Sequence, residues 1–114
     1  MKILKVSVLL LIVAGFICSS AFAGGDAKRG KDLFNDPKLA GATSGKSCNS
    51  CHPGGKGLED AGDRKGWKMM GKKFNSLEAV INWDIEKALH GSALDPKGAD
   101  MADLVAYIKS LKKD

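Results

Sequence analysis

Cysteine is scarce in this chain, with three in 114 residues, at positions 18, 48 and 51. The first lies in an N-terminal apolar run, so two remain for the folded part. That leaves no disulfide framework to compensate for the thin core of so small a domain. No internal repeat is visible, which excludes a solenoid or propeller. No segment sustains the apolar–polar alternation of a strand, which argues against an all-β class. The net charge is +5, and Lys2 and Lys5 supply two of those charges. The remainder is too small to argue for a nucleic-acid partner. The only long apolar run, Val6 to Cys18, is shorter than a membrane span requires.

That run has the marks of an export signal. Lys2 and Lys5 precede it, and Ala21-Phe22-Ala23 places small residues where a signal peptidase reads them. Cys18 follows Ile17, where a lipoprotein site would want a small residue. Residues 1–23 are therefore expected to be a signal peptide and 24–114 one exported, periplasmic domain with no membrane span.

The most informative residues are Cys48-Asn49-Ser50-Cys51-His52. C-x-x-C-H is the pattern of a c-type haem attachment site. Two thiols at this spacing add across the two vinyl groups of one porphyrin, and the adjacent imidazole supplies an axial bond to iron. Pro53-Gly54-Gly55 and Gly57 follow directly and predict irregular backbone.

Three helices are expected around this motif, making the fold all-α. Asp26 to about Asn35 reads as a short helix stopped by Pro37. Asn75 to His90 reads as the clearest one, with Asn75 as N-cap, Glu78 three residues later as in a capping box, and Gly91 at its end. Its apolar residues Leu77, Val80, Ile81, Ile85, Ala88 and Leu89 recur at helical spacing, and Asp84 falls inside their stripe. Asp100 to Lys112 reads as the last helix, with Asp100 and Asp103 suited to its N-terminus and Lys109, Lys112 and Lys113 to its C-terminus. Met101, Leu104, Val105, Ile108 and Leu111 form its expected buried stripe.

With the motif behind a signal peptide and this helix order, the chain resembles a class I cytochrome c over nearly all of residues 24–114. The resemblance implies a cytochrome c-like fold, one covalent haem c held by Cys48 and Cys51, His52 as proximal iron ligand, and electron transfer by Fe(II)/Fe(III) cycling. It also implies a close crossing of the first and last helices, a role for which Gly30, Phe34 and Tyr107 match. The family usually places a methionine ligand in the loop before the last helix. Here that segment is Gly91-Ser92-Ala93-Leu94-Asp95-Pro96, and Leu94 stands about where the methionine would be.

The sixth iron position is therefore open to several readings. Met101 has a suitable separation from His52 and is the tentative ligand, although its place on an apolar stripe also suits core packing. Met69, Met70 and His90 are alternatives, as is an open or water-ligated iron. The segment Leu77-Glu78 to Ile81-Asn82-Trp83-Asp84 is also similar to the haem domain of SoxA-type cytochromes, where a cysteine can ligate iron. Asp84 occupies that place here, and helical phasing points it toward the haem.

Two haem functions follow as expectations: an electron carrier, or an enzyme subunit or ligand-binding cytochrome with a labile sixth site. A non-haem reading, zinc or a C-x-x-C thiol oxidoreductase, would need a further zinc ligand such as His90 or a βαβ context for the thiols. Arg64, Lys65, Lys68, Lys72 and Lys73 form a basic cluster that suits either docking to an acidic redox partner or a solvated loop.

Overall fold

The structure is a computed structural model describing residues 24–113. The expected signal peptide and Cys18 lie outside the described residues. As the sequence predicts, the chain is mostly helical. It contains α1 (Ala27–Phe34), α2 (Cys48–Cys51), α3 (Leu77–Lys87) and α4 (Ala99–Ser110), with two short strands, β1 (Trp67–Met69) and β2 (Lys72–Phe74), between α2 and α3.

The frame is the crossing of α1 and α4. Asp26 caps α1, its Oδ1 accepting from the backbone N–H groups of Lys28 at 2.9 Å and Arg29 at 3.2 Å. The Asp26 N–H in turn donates to Asp103 Oδ1 at 2.7 Å. Arg29 reaches across to Asp103 and also pairs with Asp100 at 2.7 Å. Asp103 is thus a cross-helix partner, a role beyond the helix-terminus one expected of it. Gly30 permits the close approach: a Cβ there would overlap the Asp103 carbonyl and lie 2.9 Å from Tyr107 Cβ. Phe34 and Tyr107 close the crossing edge to face, with centroids 5.1 Å apart.

Met101, Leu104 and Ile108 of α4 are buried as expected, joined by Tyr107 and Asp103. Val105 and Leu111 are only partly buried and flank the core. The buried stripe is rotated toward α1 because Gly30 draws that side of α4 inward.

Helix α3 begins later than the sequence suggests. Ser76, not Asn75, takes the extended N-cap conformation, and its hydroxyl accepts from the Ala79 N–H at 3.2 Å. Both residue types cap well, so the backbone angle at Ser76 decides. The helix also ends earlier, at Lys87, because His90 adopts a left-handed φ of 58°. The Gly91 N–H then folds back to the Ile85 carbonyl at 2.9 Å.

The small hairpin was not expected. Trp67 faces Phe74, Lys68 faces Lys73 and Met69 faces Lys72, across a two-residue turn with φ of 51° at Met70 and 80° at Gly71. Positive φ at both positions marks the tight turn that matches strand twist. Phe74 packs edge to face on Trp83 at 5.8 Å, which seats the hairpin on α3.

Candidate functional site

The Cys48–His52 segment is built to present one imidazole nitrogen. Helix α2 is a single turn of 4 residues, so Cys48 and Cys51 lie on one face. Its start is fixed by Ser47, whose N–H donates to Ser50 Oγ at 2.9 Å. Its end is fixed by Asn49, whose side-chain oxygen accepts from the Gly54 N–H at 2.8 Å. His52 follows as the C-cap, its N–H bonded to the Cys48 carbonyl at 3.0 Å. Gly55, at a φ of 80°, tucks under Leu111, where any Cβ would meet that side chain.

The His52 ring lies with Nδ1 3.1 Å from the Lys56 carbonyl oxygen. A carbonyl only accepts, so Nδ1 carries a proton, and in the neutral imidazole Nε2 keeps its lone pair. This is the outer hydrogen bond that fixes tautomer and ring orientation in a metal-binding histidine.

Three cavities share His52 and Asp84 in their walls. The largest, about 580 Å³, is bounded by Leu58, Trp67, Met69, Leu77 and Val80, and falls within the size range of cofactor sites. Cys48 lines the two smaller ones, of about 50 and 70 Å³, and Cys51 lines the latter. Another cavity of about 590 Å³ opens at the α1–α4 crossing. Its charged residues Asp26, Arg29 and Asp103 are already engaged in capping and pairing.

The electrostatics of the site are distinctive. Burial, aided by the Asp84 charge, pushes the Cys48 thiol up to about 11. A thiol held protonated is the opposite of the activated thiolate that disulfide exchange needs. Asp84 is half-buried, and burial raises its carboxyl above the usual range against the opposing pull of His52. Among the described residues no group of three His, Cys, Asp or Glu side chains converges to hold a metal ion. Two thiols and one oriented imidazole beside a large, partly apolar cavity do fit a covalently held haem, whose iron needs only axial ligands from the protein.

The candidates for the sixth position separate clearly. Met101 is 1% exposed and belongs to the core with Phe34 and Leu104. It lines none of the three cavities, and borders a different depression beside Leu94 and Gly98. Met70 sits at the hairpin tip, 91% exposed. His90 is exposed beyond the end of α3, its carbonyl accepting from Thr43 Oγ1 at 3.3 Å. Met69 alone among these four lines the 580 Å³ cavity beside His52.

The segment where the family methionine was expected is held firmly. The Asn82 side chain donates to the Leu94 carbonyl and accepts from the Leu94 N–H, both at 2.8 Å. Sequence reasoning missed this clamp and the Lys56 carbonyl. The only signal for the clamp was a polar residue beside the apolar stripe, and nothing marks a backbone acceptor in advance. Arg64, Lys65, Lys68, Lys72 and Lys73 are all exposed, and Arg64 and Lys68 line the 580 Å³ cavity beside His52.

Comparison with protein-family profiles, curated proteins and solved structures finds no match to this chain.

Proposed function

We propose that the chain is an exported monohaem c-type cytochrome with a class I-like fold, attached to one haem through Cys48 and Cys51, with His52 as proximal ligand. The observation that carries this reading is the Nδ1 contact of His52 to the Lys56 carbonyl, which in the neutral ring leaves Nε2 available on a residue that lines a cavity of cofactor size. The Gly30 crossing of α1 and α4 supports the fold assignment.

When bound, the haem supplies one-electron Fe(III)/Fe(II) chemistry. The polypeptide provides the rest. Helix α2 would set the spacing of the two thiols that hold the group. The Lys56 carbonyl would keep the His52 ring in one orientation for binding iron. Leu58, Leu77 and Val80 limit water at the cavity wall. Electron transfer between proteins is the principal function proposed, with no catalytic residue assigned.

The basic rim suits an acidic redox partner. Lys68 and Lys73 are directly opposed on the hairpin, and like charges so placed cost stability. A surface that keeps this cost is consistent with electrostatic steering. Raising the salt concentration should then slow electron exchange with an acidic partner.

A second reading, a ligand-binding or enzyme-subunit cytochrome, is favoured by one observation: the buried Met101 lies apart from the cavities that contain His52. Absorption spectra of the reduced protein with and without carbon monoxide separate the two. A sharp low-spin spectrum indifferent to carbon monoxide supports a simple carrier. Rapid carbon monoxide binding to native protein supports the second reading. A spectrum with no haem bands contradicts both.

A further inference from the structure

Asp84 is the residue of the site that neither attachment nor proximal ligation explains. With His52, it is the only side chain common to all three cavities. Its position is fixed, since Ile81 and Ile85 on either side anchor α3 in the core, and its own carbonyl accepts from both Ala88 and Leu89 N–H groups at 2.8 and 3.1 Å. Yet its carboxylate has no hydrogen bond or ion pair among the described residues, in contrast to Asp26, Asp63 and Asp103. Its oxygens are open to the cavity space and not sealed in the core, so they are available to a ligand seated beside His52.

From this placement, and resting on the haem attachment proposed above, we infer that the Asp84 carboxylate is the sixth, oxygen-donor ligand of the ferric iron. Met101 is instead a core residue. An anionic oxygen prefers the harder ferric ion. It therefore lowers the potential, whereas a thioether raises it. The preference of the carboxylate for the ferric ion would weaken on reduction by the redox partner. The other sulfur near the cavity, Met69, is carried on a hairpin strand and lines only the largest of the three spaces.

The test compares the full-length, haem-loaded wild type with Asp84→Asn, Asp84→Ala, Met69→Leu and Met101→Leu by ferric absorption and electron paramagnetic resonance. Each protein is also titrated with imidazole, and the mass of the denatured protein reports attached haem independently. The inference predicts a wild-type ferric spectrum without the weak long-wavelength band of thioether–iron bonding. Both Asp84 variants should change the ferric resonance and bind imidazole about tenfold more tightly, while the two methionine variants match wild type. Ferric spectra of the Asp84 variants that superimpose on wild type would overturn it. So would a thioether band that disappears in Met69→Leu or Met101→Leu. Where Asp84→Ala does not accumulate, the isosteric Asp84→Asn decides. Attached haem with unchanged spectra defeats the Asp84 ligand alone; wild type without haem mass defeats the attachment reading as well.

Discussion

The two ends of α4's environment are built on opposite principles. At its crossing with α1, four charged groups answer one another: Asp26 caps, Asp103 takes the Asp26 N–H and Arg29, and Arg29 also holds Asp100. Around His52, the Asp84 carboxyl has no hydrogen-bond or ion-pair partner among the described residues, and burial raises both it and the Cys48 thiol. The hairpin rim, meanwhile, sets lysine against lysine. The first region is complete from its own residues. The second makes physical sense with a cofactor seated against it. The difference teaches where stability ends and function begins in a chain of this size, whose core alone is small.

The comparison is broken most severely at the crossing by Gly30→Ala. The added methyl would overlap the Asp103 carbonyl, and overpacking of this kind costs about 1–3 kcal/mol, beyond the ~1 kcal/mol that alanine gains within a helix. Denaturant unfolding of the haem-loaded protein should show a net loss, with the haem spectrum little changed. A stabilised variant would mean that the helices separate freely there.

A smaller effect is expected from Asp103→Asn. Charge-assisted hydrogen bonds contribute about 1.5–3 kcal/mol, and the amide retains part of the geometry, so a loss nearer 1 kcal/mol is expected. The Asp26 N–H and Arg29 hold the Asp103 carboxyl below the usual carboxylate range. The unfolded chain therefore takes up this proton first as pH falls, near the reference value of about 3.9. The associated stability is present above that value and is lost as pH drops toward the folded pKa. Unfolding midpoints measured from neutral pH down to about 3 should fall less steeply in Asp103→Asn than in wild type. Equal slopes would remove Asp103 from the acid response.

The smallest effect sharpens the other side. Met70 holds a left-handed φ of 51° and is 91% exposed, so Met70→Gly should stabilise the hairpin by about 0.5 kcal/mol, the left-handed penalty relieved outweighing the added glycine entropy. Thermal unfolding would show a slightly raised midpoint. A lowered one would reveal a contact for Met70 that offsets its backbone strain.

These regions were unequally legible in the sequence. Helix α1 was readable because Asp26 and Pro37 bracket it, and α4 because its apolar spacing is regular. The start of α3 was not, since Asn75 and Ser76 are both good caps and only the backbone angle selects Ser76. The hairpin was hidden because three-residue strands cannot show alternation and Lys68, Lys72 and Lys73 read as a charged loop. Its turn is Met-Gly, not the asparagine–glycine pair that announces such a turn. Within the site, Cys48, Cys51 and His52 announce themselves by spacing, and Asp84 by interrupting an apolar stripe. Met101 was ambiguous because a buried methionine and a ligating one leave the same trace in helical periodicity. Only three-dimensional placement separates it from the cavities around His52.

The central claim is that the region around His52 is a haem site made by Cys48, Cys51 and His52. Its most direct test is the mass of the denatured, exported protein, measured beside a Cys48→Ala/Cys51→Ala double variant. The account predicts a wild-type mass raised by one haem that survives denaturation, and a double variant without it. A wild-type mass equal to that of the polypeptide alone, in cells able to attach haem to other c-type cytochromes, would contradict it.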